Sequence, residues 1–162
     1  MKQHHVFSFL QRMGKSFMLP IAVLPVAGIF LGVGSSLTNE TTIAALHLES
    51  VLGQGTFLYS VLILLKQVGK VLFDNLPLIF AVSIALGMSK RRKEVAALAA
   101  IIAFFVMHAT INTLLCLDGS IVNGVVSNYI LDGSITSVCG MLSLEMGVFG
   151  GIVVGLGVSY LH

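Results

Sequence analysis

The sequence has no tryptophan and very little charge: lysine, arginine, aspartate and glutamate together make up 10% of its 162 residues. A soluble domain carries about 25%. So sparse a charged set cannot cover a globule with a polar surface, which excludes an ordinary water-soluble domain. Cysteine is scarce too. Cys116 and Cys139 are the whole supply, too few for a disulfide framework, and no CxxC or Cys/His spacing points to a metal. Basic residues do not alternate with aromatics, which argues against nucleic acid as a partner. What remains is apolar: 56% of the chain, with a mean hydropathy of +0.99. Lipid is the simplest solvent for such a sequence. At roughly 20 residues per crossing, its length suits about four to six transmembrane helices.

The expected fold class is all-α: a polytopic transmembrane helix bundle of about four crossings plus an amphipathic or broken helix. The first crossing is expected at about residues 16–37, inside a run of 24 residues without charge from Ser16 to Asn39. A signal peptide also begins with cations before an apolar stretch, but its apolar region is only about 7–15 residues long. Pro20 and Pro25 lie in the run; bilayer helices accept proline when neighbours satisfy the freed carbonyls. Lys66, Lys70 and Asp74 recur at four-residue spacing and share a helical face. Residues 57–70 therefore read as amphipathic, followed by a crossing at about 71–89 with a bend near Asn75-Leu76-Pro77. Further crossings are expected at about 95–115 and 144–162. The connections at 38–56 and 118–143 are polar and Gly-bearing.

Those two connections contain no lysine or arginine, whereas Lys2, Arg12, Lys15, Lys90, Arg91, Arg92 and Lys93 account for seven of the nine cations. Cations concentrate in cytoplasmic loops. The expectation is a multi-pass protein of the bacterial inner membrane, with its N terminus and the 90–93 turn in the cytoplasm. Treating 57–73 and 75–89 as separate crossings is the rival topology, and it would place 90–93 outside.

Gly147, Gly151 and Gly155 form a small-xxx-small ridge that lets helix backbones approach closely, and Gly28 and Gly32 form a shorter one. Packing within one subunit and contact between subunits are both open readings. Asp74 is costly in lipid and so a functional candidate, but Lys70 one turn earlier can pair with it. Asn75 can satisfy a carbonyl freed by Pro77. His108 and Asn112 share a face in mid-crossing; a proton relay, a sugar contact or interhelical hydrogen bonding would each use them. Asp74, Asn75, His108 and Asn112 are thus the weak candidates for substrate binding. Glu145 is expected to open the last helix, where a carboxylate favours the dipole, with Ser143 as a cap. Cys116 and Cys139 are close enough to the outer connection for a disulfide to be conceivable, and His4 and His5 read as a mobile tail rather than a metal site. No nucleophile–base constellation, phosphate loop, dinucleotide fingerprint or metal motif is present, so no catalytic residue, cofactor or metal is assigned.

Three stretches carry a family resemblance. LQRMGKSFMLPIAVLPVAGIFLGVG (Leu10–Gly34) is similar to the opening of the glucose- and maltose-type IIC permeases of the bacterial phosphotransferase system. FDNLPLIFAVSIALGMSKRRKEVAALAAIIAFFVM (Phe73–Met107) resembles the family's F-x-N-L-P-L-I-F-A segment, charged turn and Ala-rich helix. SLEMGVFGGIVVGLGVSYLH, from Ser143, resembles the G-x-x-G-G-I-x-x-G helix that follows. The resemblance implies a sugar permease coupled to phosphorylation, with sugar as substrate, a IIB domain as partner and a homodimer in the bilayer. The family's sugar-binding His and its G-I-T-E glutamate lie in a later half, and its IIB motif is C-x-T-R-L-R. Cys116 in C-L-D-G-S and Cys139 in C-G-M-L-S do not match that motif. The expectation is therefore the N-terminal scaffold half, a truncated IIC unable to transport without a C-terminal IIC half. The alternative is a non-transporting membrane interaction or dimerisation module, or a decayed remnant. A cation- or proton-linked carrier using Asp74 and His108 is a third reading; such carriers are commonly built on inverted repeats, and none is visible here.

Overall fold

A computed structural model describes residues 2–90, 92–127 and 133–161, without the side chains of residues 2–5. Arg91, Asn128, Asp132, His162 and the side chains of Lys2, His4 and His5 lie outside that description. The chain divides into two units, one of residues 1–20 with 75–162 and the other of residues 21–74.

The first unit is built on helix. Helix α1 (Lys2–Ser16) is followed by α2 (Met18–Leu37), whose first residues still belong to this unit. Pro20 falls in the first turn of α2, where backbone donors have no intrahelical acceptor, so its missing N–H costs no bond. After residue 74 the chain continues in α6 (Leu76–Met88), α7 (Lys93–Leu117) and α8 (Gly147–Leu161). Pro77 lies at the start of α6, so it begins a helix rather than bending one. Helix α6 is central, with α1, α7 and α8 all packed against it. The core is made of Ala81, Ala85, Ala96, Ala100, Phe104, Val138, Val154 and Val158. Four of these eight are alanine, which draws the helix axes close. Phe17 packs on Phe80, with ring centroids 5.7 Å apart.

Two antiparallel hairpins fill the connection from α7 to α8. They are β1 (Ile121–Val122) with β2 (Val125–Val126), and β3 (Ile135–Val138) with β4 (Met141–Leu144). Their registers pair Val122 with Val125 and Val138 with Met141. Each turn has two residues at positive φ, Asn123-Gly124 and Cys139-Gly140, the backbone that matches the twist of a two-residue hairpin.

In the second unit the rest of α2 meets α5 (Phe57–Asp74). A Cβ on Gly34 would lie 2.7 Å from the backbone nitrogen of Lys66, and one on Gly69 would lie 2.5 Å from that of Leu31. The two helices therefore touch backbone to backbone. Between them run the short helices α3 (Glu40–Ala45) and α4 (Glu49–Leu52). Asn39 caps α3 by accepting from the Thr41 N–H at 3.0 Å. Ile43, Leu52 and Leu62 form a small core with Leu37, Leu48 and Tyr59.

Among the described residues, two helical stretches are long and apolar enough to cross a bilayer, Val6–Leu37 and Lys93–Leu117. Phe57–Asp74 with Leu76–Met88 passes the same test as one broken span, and Gly147–Leu161 is a shorter apolar helix. The molecule is an all-α membrane helix bundle carrying two small hairpins. Two of its helices start later than the sequence reading placed them. The helix expected from Val71 starts at Leu76, because the chain breaks at Asn75 and residues 71–74 complete α5. The helix expected from Leu144 starts at Gly147, because Leu144 ends β4.

Candidate functional site

His108, Asn112 and Asn75, three of the four weak candidates, converge on the β3–β4 hairpin. His108 is buried on α7, and its Nδ1 lies 2.7 Å from Oγ of Ser143, which is fully buried on β4. Its ring meets Phe104 edge-on at 4.5 Å between centroids. One turn along α7, the Asn112 amide donates to the Leu142 carbonyl at 2.6 Å. At the start of α6, Asn75 Oδ1 accepts from the Cys139 thiol at 3.3 Å. The hairpin is thus pinned at its second strand by α7 and at its turn by α6. Asn112 thereby satisfies a backbone carbonyl of the hairpin, while His108 and Asn75 engage its side chains.

This geometry corrects several expectations. The Asn75 backbone carbonyl accepts the Ile79 N–H at 3.1 Å, and its side chain faces Cys139. Ser143 caps no helix, since it sits in β4 bound to His108. Glu145 does not open a helix: its backbone N–H donates to Ser134 at 2.7 Å, and its carboxylate accepts from the Thr136 hydroxyl. Glu145 therefore closes the base of the hairpin. Cys116 and Cys139 are both free thiols. Burial pushes the Cys139 thiol above its ordinary range.

Asp74 belongs to the second unit. Its carboxylate pairs with Lys70 at 2.6 Å, and both side chains are about half exposed, at 50% and 56%. In the charged turn, Arg92 takes a left-handed backbone (φ 48°) just before α7 and reverses the chain there, with Lys90 and Lys93 on either side.

The glycine ridges differ in what they meet. A Cβ on Gly151 would come within 2.0 Å of the Pro77 carbonyl oxygen, and one on Gly155 within 2.7 Å of that of Ala81. Gly147 has a positive φ of 51° and no neighbour within 4 Å of that position; Gly28 and Gly32 likewise face open space. Gly87, absent from the sequence reading, would meet Ser16 Oγ at 2.0 Å. Gly34 and Gly69 were missed in the same way. Spacing within one helix marks a ridge but does not say which partner approaches it.

The family described as Phosphotransferase system, EIIC, matches residues 14–162. The chain is 37% identical over 150 residues to the PTS system glucose-specific EIICBA component of Staphylococcus saprophyticus, covering 93% of this chain and 20% of that protein. It is 34% identical over 157 residues to the PTS system maltose-specific EIICB component of Escherichia coli K12, covering 97% of this chain and 29% of that protein. The chain thus spans less than a third of the length of either relative.

Proposed function

The chain belongs to the phosphotransferase system EIIC family, and from that premise we propose that it forms the scaffold part of a glucose- or maltose-type sugar permease. The family match over residues 14–162 carries this reading, and the names of the two relatives supply the sugar class. The polar groups in the bundle support a structural role. His108, Asn112 and Asn75 are engaged in holding the hairpin, and Asp74 is paired with Lys70. Sugar recognition and phosphoryl transfer then fall to a C-terminal IIC half and a IIB domain.

The orientation follows from the distribution of cations, seven of nine of which lie near the N terminus or at residues 90–93. The N terminus and that turn are cytoplasmic in a bacterial inner membrane. The protein works as a homodimer, a reading supported by the unfilled ridge at Gly28 and Gly32.

The test is uptake of labelled glucose and maltose in cells lacking their own permeases for these sugars. The chain alone is expected to give none, and the chain co-expressed with a C-terminal IICB half of a related permease to give phosphorylation-dependent uptake. Uptake by the chain alone would overturn the scaffold assignment. Absence of uptake in both arms, with both chains in the membrane, would favour the interaction module.

A further inference from the structure

At the end of the first unit away from the hairpin, the structure contains a cavity of about 810 Å³. It is lined by α1 (Ser8, Phe9, Arg12), by the end of α6 and the turn after it (Met88, Lys90), and by the end of α8 (Leu156, Gly157, Ser159, Tyr160). Two features of this lining set it apart from the rest of the apolar bundle. Arg12 on α1 and Lys90 in the turn after α6 open onto one space, and among the described residues neither has a carboxylate partner. Beside them, Ser8, Ser159 and Tyr160 add hydroxyls, while Phe9, Met88 and Leu156 add apolar wall.

Two cations and the hydroxyls of Ser8 and Tyr160 suit a phosphate group; the Ser159 hydroxyl already donates to the Leu156 carbonyl at 2.8 Å. A guanidinium offers paired donors to phosphate oxygens, and an ammonium adds a compact point charge. A free phosphate ion would gain nothing from Phe9, Met88 and Leu156. A molecule with a phosphate at one end and hydrocarbon at the other uses both parts of the lining. Basic recesses between transmembrane helices hold anionic headgroups by this combination.

We infer that the cavity between α1, α6 and α8 is a binding site for an anionic phospholipid, with Arg12 and Lys90 on its phosphate and the apolar wall along its first acyl segments. The orientation proposed above would put this site in the cytoplasmic leaflet; the cavity brings Arg12 and Lys90 together whichever way the chain faces. Each cation near a membrane surface contributes roughly a fivefold preference for anionic lipid.

The experiment uses the full chain purified in a neutral detergent, with lipid retention read by native mass spectrometry and thermal stability read in parallel. The probes are phosphatidylglycerol, phosphatidylcholine and inorganic phosphate. Phosphatidylglycerol is expected to be retained and to raise the melting temperature, and the other two are not. R12Q and K90Q are each expected to weaken retention about fivefold, and the double variant about 25-fold. K70Q, at a lysine outside the cavity, should leave retention unchanged, and far-ultraviolet circular dichroism confirms that each variant remains helical. Equal retention of phosphatidylcholine would reduce the site to a general lipid annulus, and equal binding of inorganic phosphate would make it a free-anion site. Unchanged retention in a helical double variant would also overturn the inference. Because lipid retention and sugar uptake are separate readouts, loss of one reading leaves the other standing.

Discussion

Gly151 has less room than Gly155 in the α6–α8 seam, since even a methyl group there would run into the Pro77 carbonyl oxygen. Backbone cannot give way as a flexible side chain does. Gly151→Ala is expected to destabilise the protein by about 1–3 kcal/mol, measured by thermal unfolding in detergent. Gly157→Ala, which meets nothing within 4 Å, is expected to be neutral or slightly stabilising through helix propensity. The His108–Ser143 pair has a different signature. Removing either partner leaves a buried polar group unpaired, at a cost of about 1–3 kcal/mol. The double substitution to alanine should cost less than the sum of the singles, and a double-mutant cycle reads that coupling directly. Cys139 adds a dependence on pH. Its raised thiol carries less thiolate at neutral pH than an unperturbed cysteine, so it reacts slowly there. Its labelling rate by a maleimide is expected to keep climbing with pH past the point where an ordinary thiol levels off; a profile that levels off early would show that burial does not govern it. None of these partnerships could be read along the sequence, because Ser143 lies 35 residues from His108 and Cys139 lies 64 from Asn75. The polarity of His108, Asn112 and Asn75 in an apolar setting was visible, and their common target was not.

At the scale of elements, long apolar runs and charged turns are the strongest signals in this chain, and the helices follow them. The hairpins escaped because their strands are only two and four residues long, too short for alternation to emerge. Asn123-Gly124 between Ile121-Val122 and Val125-Val126 was a readable turn signal; Cys139-Gly140 was not, since cysteine rarely marks such a turn. Gly140 has φ +84°, so Gly140→Val should loosen the β3–β4 hairpin by about 1–2 kcal/mol. Faster hydrogen exchange at the Glu145 amide, which is bonded to Ser134, would report it. The open glycines of α2 make a separate prediction. Gly28→Leu with Gly32→Leu is expected to weaken self-association while leaving helical content intact, because both positions have space within the chain. Cross-linking yield in membranes distinguishes this from unchanged dimerisation, which would place the subunit contact elsewhere.

For the whole molecule, composition alone identified the solvent. A chain with 10% charged residues and 56% apolar ones has little choice but a bilayer, and family membership agrees with that conclusion. Bundle order was less legible than bundle class, since the centrality of α6 depends on three helices meeting it rather than on any property of its own sequence. The α6–α8 seam has one more consequence. Pro77 and Ala81 are two sockets four residues apart, and Gly151 and Gly155 fill them. Gly147, at φ 51°, leaves the helical path and adds no third tooth. Sliding α8 along α6 by one helical turn, about 5.4 Å, would therefore leave one socket facing a residue with a side chain. The seam is a keyed joint with one setting. Spin labels at exposed Leu98 on α7 and Val153 on α8 are expected to show a single distance, and a second distance would show that the key slips.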